Sequence, residues 1–183
     1  MKQLNKKKAA LWWRRLIGKA NLNVKSLSLS IKGKTPRKFL IILPEHSTES
    51  DLASRFISAM QNALGPSKSN QIKLLGPNGV GQLLDLDDYQ DFILYSEDDL
   101  NRWGLPGKEL IWTCEKMKVD AVLDLNQAFA PASAALAGAV SAPLKVGFYS
   151  EDGEKYFNIM IRRKGADLAE SGFKEIFQIL GLG

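Results

Sequence analysis

The chain has 183 residues, 45% hydrophobic and 25% charged, with a net charge of +5 at pH 7. That suffices for one globular domain with a real core, and no run of about 18 apolar residues marks a membrane-spanning helix. Cys114 is the only cysteine, which excludes an internal disulfide and fits a reducing compartment.

The net charge hides a division. Residues 1–40 carry 12 Lys and Arg and no Asp or Glu, whereas residues 41–183 carry 13 Lys and Arg against 20 Asp and Glu. Such asymmetry describes a basic arm on an acidic domain, and an anionic partner for the arm. Within the arm, Ala9, Trp13, Leu16, Ile17 and Ala20 keep the spacing of one helical face. Lys6, Lys7, Lys8, Trp12, Arg14, Arg15 and Lys19 fill much of the remainder. Arg14 and Arg15 also break the apolar stretch, so it is too short and too charged for a secretory signal. Three readings of the arm stand. It lies on an anionic membrane, with indoles at the headgroup level and cations drawn to the lipid. It binds nucleic acid, with cations on phosphates and Trp on bases. Or its Trp face docks on its own domain.

Residues 1–24 are thus expected to form the arm and 25–183 a single α/β domain. Leu27, Leu29 and Ile31 alternate with serines between Lys25 and Lys32, the pattern of a half-buried edge strand. The run from Lys38 to Leu43 is continuously apolar, the mark of a strand covered on both faces. A helix follows over 48–64, capped by Ser47 or Thr48 and stopped by Gly65 and Pro66. The next strand covers 71–75, and the loop from Gly76 to Gly81 reads as turn-rich. It offers Gly79 and Gly81 as a weak phosphate cradle, but lacks both a G-x-G-x-x-G pattern and a following Lys-Ser/Thr.

A strand at 91–95 leads to Ser96, which caps an acidic first turn, and a further helix spans 108–118. Val119 to Tyr149 reads as buried strand, Ala-rich helix and buried strand, one right-handed crossover. Asp152-Gly153 stands between two apolar runs and predicts an antiparallel hairpin returning over 156–161. A helix over 167–180 closes the chain. Strands alternating with helices predict an α/β fold with a doubly wound, mostly parallel, Rossmann-like sheet, extended by that C-terminal hairpin and preceded by the basic helix.

In such a sheet, ligands bind outside the carboxyl ends of the strands. Those ends carry Glu45, His46 and Ser47 after the strand at 38–43, and Asp124 and Asn126 at the end of the strand that opens the 119–149 unit. His46, the only histidine, beside a carboxylate such as Asp124 is a candidate general base. The alternative is a solvated loop histidine, with Asp124 accepting N–H bonds from its own loop. Ser47, Gly79, Gly81 and Asn126 are the candidate ligand contacts, and Glu45 joins the catalytic candidates. One His and one Cys make no metal cluster, and no motif points to a cofactor.

Asp120 to Asn126, then Ser133 to Ala139, then Lys145 to Phe148 resemble the end of the acceptor-side half of lipopolysaccharide heptosyltransferases, glycosyltransferase family 9. In that family a Tyr-Asp strand ends in Asp-Leu-Gln, and a small-residue helix and an Arg-Ile-Gly-Phe-like strand follow. The resemblance covers about 30 residues well and 38–150 in order of elements. It implies a Rossmann-like half, but after the first strand, where the family has Gly-Asp with the Asp as base, this chain has Pro44-Glu-His-Ser-Thr-Glu49 and no Gly-Asp. The family's donor-binding half has no room in 183 residues, so a half-glycosyltransferase is expected at most. The chain also resembles a family of small bacterial proteins without assigned activity. They share the basic N-terminus, a segment like 98–106 and the stretch 145–161.

Two functions of different class are therefore expected. One is a non-catalytic module, cytoplasmic and peripheral at the inner membrane, held there by its arm and working through a protein partner. The other is a sugar- or anion-binding enzyme or subunit with its site at the strand ends.

Overall fold

The apolar run after Lys38 forms β1 (Phe39–Ile42), whose four residues are fully buried. Side chains alternate across a strand. Phe39 and Ile41 therefore enter one core and Leu40 and Ile42 the other, so β1 is the central strand of a sheet covered on both faces. The structure is a computed structural model that describes residues 6, 36–65, 71–84, 91–162 and 169–182. The expected strand at 25–32 lies outside these residues. So does the basic arm with Lys7, Lys8, Trp12, Trp13, Arg14, Arg15 and Lys19; only Lys6, which is exposed, is described.

After β1 a 3-10 turn (Ser47–Glu49) leads into α1 (Ser50–Leu64). Ser47 and Thr48 do not cap it: Glu49 occupies the cap position, and no side chain bonds there. Gly65 ends the helix at φ 80°, a conformation glycine adopts without strain. Then come β2 (Ile72–Pro77), the single turn α2 (Asn78–Gly81) and β3 (Phe92–Tyr95). The chain continues through α3 (Lys108–Glu115), β4 (Ala121–Asp124), α4 (Pro131–Ala139), β5 (Leu144–Phe148), β6 (Ile159–Ile161) and α5 (Ala169–Leu180). The six strands pair in the order β3-β2-β1-β4-β5-β6, every pair parallel. This is the doubly wound Rossmann order.

Two apolar layers hold the helices on. Phe56, Ile57 and Met60 of α1 join Phe173 and Ile176 of α5 against Phe39, Ile41, Leu74 and Leu123. On the opposite face Leu110 and Cys114 of α3 and Leu136 of α4 pack on Leu40, Ile42 and Val122. Asp120 pins the lower end of β1 to β4 by accepting the backbone N–H groups of Arg37 and Lys38 at 2.8 and 2.9 Å.

The expected antiparallel hairpin is not formed. Asp152 has helical dihedrals, Gly153 has no positive φ, and Gly153–Lys155 make a 3-10 turn instead of a primed hairpin turn. Tyr156 and Phe157 are then buried in the α3–α4 core, which draws the chain back across the sheet. The backbone of Gly147 lies beneath the Phe157 ring, where an added Cβ would stand 3.1 Å from it. Asn158 fixes the parallel register: its Oδ1 accepts the Lys145 N–H at 2.7 Å, and its own N–H donates to Lys145 O at 3.0 Å. Burial of two aromatic rings outweighs a local turn signal.

The glycines of 76–81 are mainly packing devices. A Cβ on Gly76 would stand 2.4 Å from Leu43 Cβ, and one on Gly81 would stand 2.4 Å from Leu94 Cδ2, whereas one on Gly79 would meet nothing. Gly76→Ala is expected to cost about 1–3 kcal/mol in urea unfolding, because strand backbone or Leu43 must move. Gly79→Ala should stay within about 0.5 kcal/mol of wild type.

Candidate functional site

β1 and β4 lie side by side, and their neighbours run outward in opposite senses from there. Their carboxyl ends, with Ile42 opposite Asp124, form the topological switch point of the sheet. Beyond Ile42 the two chains part. Leu43 N–H turns to Leu75 O on β2, while Leu125 N–H still donates to Ile42 O.

Asn126 fills the resulting gap. Its Oδ1 accepts the Glu45 N–H at 2.8 Å. Its Nδ2 donates to Asp124 Oδ1 at 2.7 Å and to Ser133 Oγ at 2.8 Å, with Leu43 O at 3.4 Å. Asp124 Oδ1 also takes the Asn126 backbone N–H at 3.0 Å, an Asx turn built into the strand end. Pro131 opens α4 at a position that needs no N–H donor. Small alanine side chains let α4 pack on the sheet, and Ser133 is buried completely beside Asn126.

Two carboxylates from the loop after β1 reach over to the loop after β4. Glu45 Oε1 accepts the Ser133 N–H and Glu49 Oε2 the Gln127 N–H, each at 3.4 Å. The first turn of α4 thus already holds an anionic group of the protein's own. Asp124 is 4% exposed, and burial pushes its carboxyl up to about 7. The Asn126 hydrogen bonds oppose that rise, and the charges of Glu45 and Glu49 add to it.

Of the residues expected at the site, Glu45, Asp124 and Asn126 are brought together. His46 is not: its side chain is exposed on the loop and has no hydrogen bond to Asp124, whose partner is Asn126. Ser47 is exposed, and its carbonyl accepts the Ser50 hydroxyl at 2.7 Å. Gly79 and Gly81 belong to α2, between β2 and β3. Ser133 and Glu49 reach the site without being among the sequence candidates. A lone serine in an Ala-rich helix start was the available signal for Ser133.

The fold is shared with a glycosyltransferase. It resembles the crystal structure of the glycosyl transferase family 9 from Veillonella parvula DSM 2008, with a TM-score of 0.57 at 14% identity. The likeness covers 86% of this chain and 43% of that one, so the chain spans less than half the length of that protein. No family model matches the sequence, and no curated protein does. At this identity the likeness concerns the fold, and it agrees with the order of elements that the residues at 120–148 implied. In the loop after β1, where the resembled family carries Gly-Asp, this chain has Glu45, half-buried and accepting the Ser133 N–H.

The carboxyl of Asp124 gives a pH prediction with a definite sign. Its value of about 7 in the fold exceeds the ordinary one near 4, so the folded state binds the proton more tightly. Its contribution to stability is full below about pH 4, falls as pH rises, and has flattened above about 7. Asp124→Asn is expected to raise the melting temperature by several degrees relative to wild type at pH 8, with the difference vanishing near pH 4. Thermal unfolding across that range measures it.

Proposed function

We propose that the chain is a glycosyltransferase-like binding module that holds a small hydroxyl-rich ligand, a saccharide, at the carboxyl ends of β1 and β4. The carrying observation is the buried polar constellation of Asp124, Asn126, Ser133 and Glu45 at the switch point. Polar groups are costly to bury without purpose or partner, and this end of a doubly wound sheet is where ligands sit. Carboxylates that accept hydrogen bonds suit sugar hydroxyls, whereas a phosphate or other anion would meet Glu45, Glu49 and the α4 start already occupied by carboxylate. The fold likeness to a family 9 glycosyltransferase supports the same ligand class.

Titration of the full chain with neutral hexoses, heptoses and sugar nucleotides, followed by ligand-observed NMR, tests this reading. A saturable response to at least one saccharide, weakened by Glu45→Ala, is expected. Absence of any saturable response across the panel overturns it.

The basic arm supports a second element of the proposal, attachment to an anionic membrane surface. Residues 1–40 carry 12 cations and no acid, and two adjacent indoles stand among them. Cations near an anionic bilayer each contribute about 1 kcal/mol, and salt screens them. Among the described residues no helix is long and apolar enough to cross a membrane. The full chain should sediment with anionic but not neutral vesicles, less so at high salt, while a chain starting at Thr35 stays in the supernatant. Equal behaviour of the two chains removes the anchor role and makes a salt-dependent RNA titration the next measurement.

A further inference from the structure

β3 is one border of the sheet, and among the described residues it pairs only with β2. Leu74 stands opposite Phe92, and the Leu74 N–H donates to Asp91 O at 3.0 Å. In a parallel ladder that register turns the N–H and C=O groups of Ile93 and Tyr95 toward β2, and those of Phe92 and Leu94 outward. The Phe92 side chain is 45% exposed, while Leu94, on the same face, packs on the α1–α5 core. A border strand with open backbone groups and an exposed ring is a template for one more strand.

Charge selects the strand that fits. Residues 85–99, which contain β3, carry seven Asp and Glu and no Lys or Arg. Lys73 answers one of them, Asp91, at 2.8 Å. The opposite border, β6, is followed by Arg162, Arg163 and Lys164. A second copy of β3 would bring two acidic borders together, which like charges oppose. The segment 25–32 has the complementary character: Leu27, Leu29 and Ile31 alternate with serines, and Lys25 and Lys32 stand at its ends.

Chain length adds the direction. Lys38 sits at the foot of β1, its carbonyl accepting the Asp120 and Ala121 N–H groups. The six residue steps back to Lys32 span at most about 20 Å. The open side of β3 is three strand spacings from β1, about 14 Å, and the open side of β6 is four, about 19 Å. Only the β3 side leaves slack. A parallel run there would strand Lys32 at the carboxyl end, a further strand length away, so the segment must descend toward β1's foot.

We propose that residues 25–32 add to the open side of β3 as an antiparallel strand, with Leu27, Leu29 and Ile31 on the face of Phe92 and Leu94. Lys32 then lies near Asp91, and Lys25 near Glu97 and Asp98, each cation beside acids. Residue 24 and the basic arm before it emerge at the carboxyl ends of the strands, the end that bears Asp124 and Asn126. Whatever anionic surface the arm meets, the candidate site lies on the same end of the sheet. The placement depends neither on the saccharide reading nor on which surface the arm binds.

Residue-resolved hydrogen exchange and a nitroxide label, both on the full chain, test this. The Phe92 and Leu94 amides should exchange at least about tenfold more slowly than open amides. The double variant Leu27→Glu with Leu29→Glu should release them while Ile93 and Tyr95 stay protected by β2. A nitroxide on Asn23→Cys, the other thiol Cys114 being buried, should broaden the signals of Ser96 to Asp98 more than Asp91, and Arg162 least. Open Phe92 and Leu94 amides in the full chain overturn the proposal, as does protection that the double variant leaves intact. Protection that grows with protein concentration overturns it in favour of a second copy at the border. Broadening centred on Asp91 overturns the antiparallel direction, and broadening centred on Arg162 overturns the choice of border.

Discussion

Asn126 bridges a place where the sheet would otherwise come apart. At a topological switch point the chains leaving β1 and β4 turn toward different layers, and their backbone groups lose the ladder that satisfied them lower down. One amide side chain takes the Glu45 N–H and offers its own N–H groups to Asp124 and Ser133. It thereby ties together the end of β1, the end of β4 and the start of α4. The three segments are distant in sequence: the Glu45 to Asn126 bond joins residues 81 apart. With that bridge in place the loops need little of their own to stay ordered. Without it, Asp124 and Ser133 would be buried polar groups missing a partner.

The bridge also sets the electrostatics. Asp124 is held in a dry position by the packing of α4, whose alanines are buried against the sheet. Burial, more than the neighbouring charges, is what raises its carboxyl. Glu45 and Glu49 come to the same place because each caps backbone N–H groups of the opposite loop. A structural task thus concentrates negative charge at the switch point.

The C-terminal strand shows how far local signals reach. Asp152-Gly153 has the composition of a hairpin turn, yet β6 runs parallel to β5. The deciding residues are Tyr156 and Phe157, which bury their rings on the α3–α4 side over Gly138 and Gly147. A turn preference worth a fraction of the burial of two aromatic side chains does not survive that competition. The capping signal at Ser96 did hold, as a short 3-10 turn with the Ser96 N–H donating to Asp99 Oδ2 at 2.7 Å.

The sequence by itself determined the kind and order of the main strands and helices between 38 and 161. Continuous apolar runs at 39–42 and 121–123 require burial on two faces, and the spacing of Phe56, Ile57 and Met60 requires one helical stripe. These are properties of neighbours in the chain, and periodicity reports them directly. It also placed Glu45, Asp124 and Asn126 at strand ends, because strand ends are where apolar runs stop. Tertiary structure alone decided the direction of β6, the separation of His46 from Asp124, the packing role of Gly76 and Gly81, and the entry of Ser133 and Glu49 into the site. Each of those depends on which side chains meet across the sheet and on how much water is removed around them. Hydrogen bonds and desolvation are set by contacts between residues dozens of positions apart, and no local pattern in the chain carries that information.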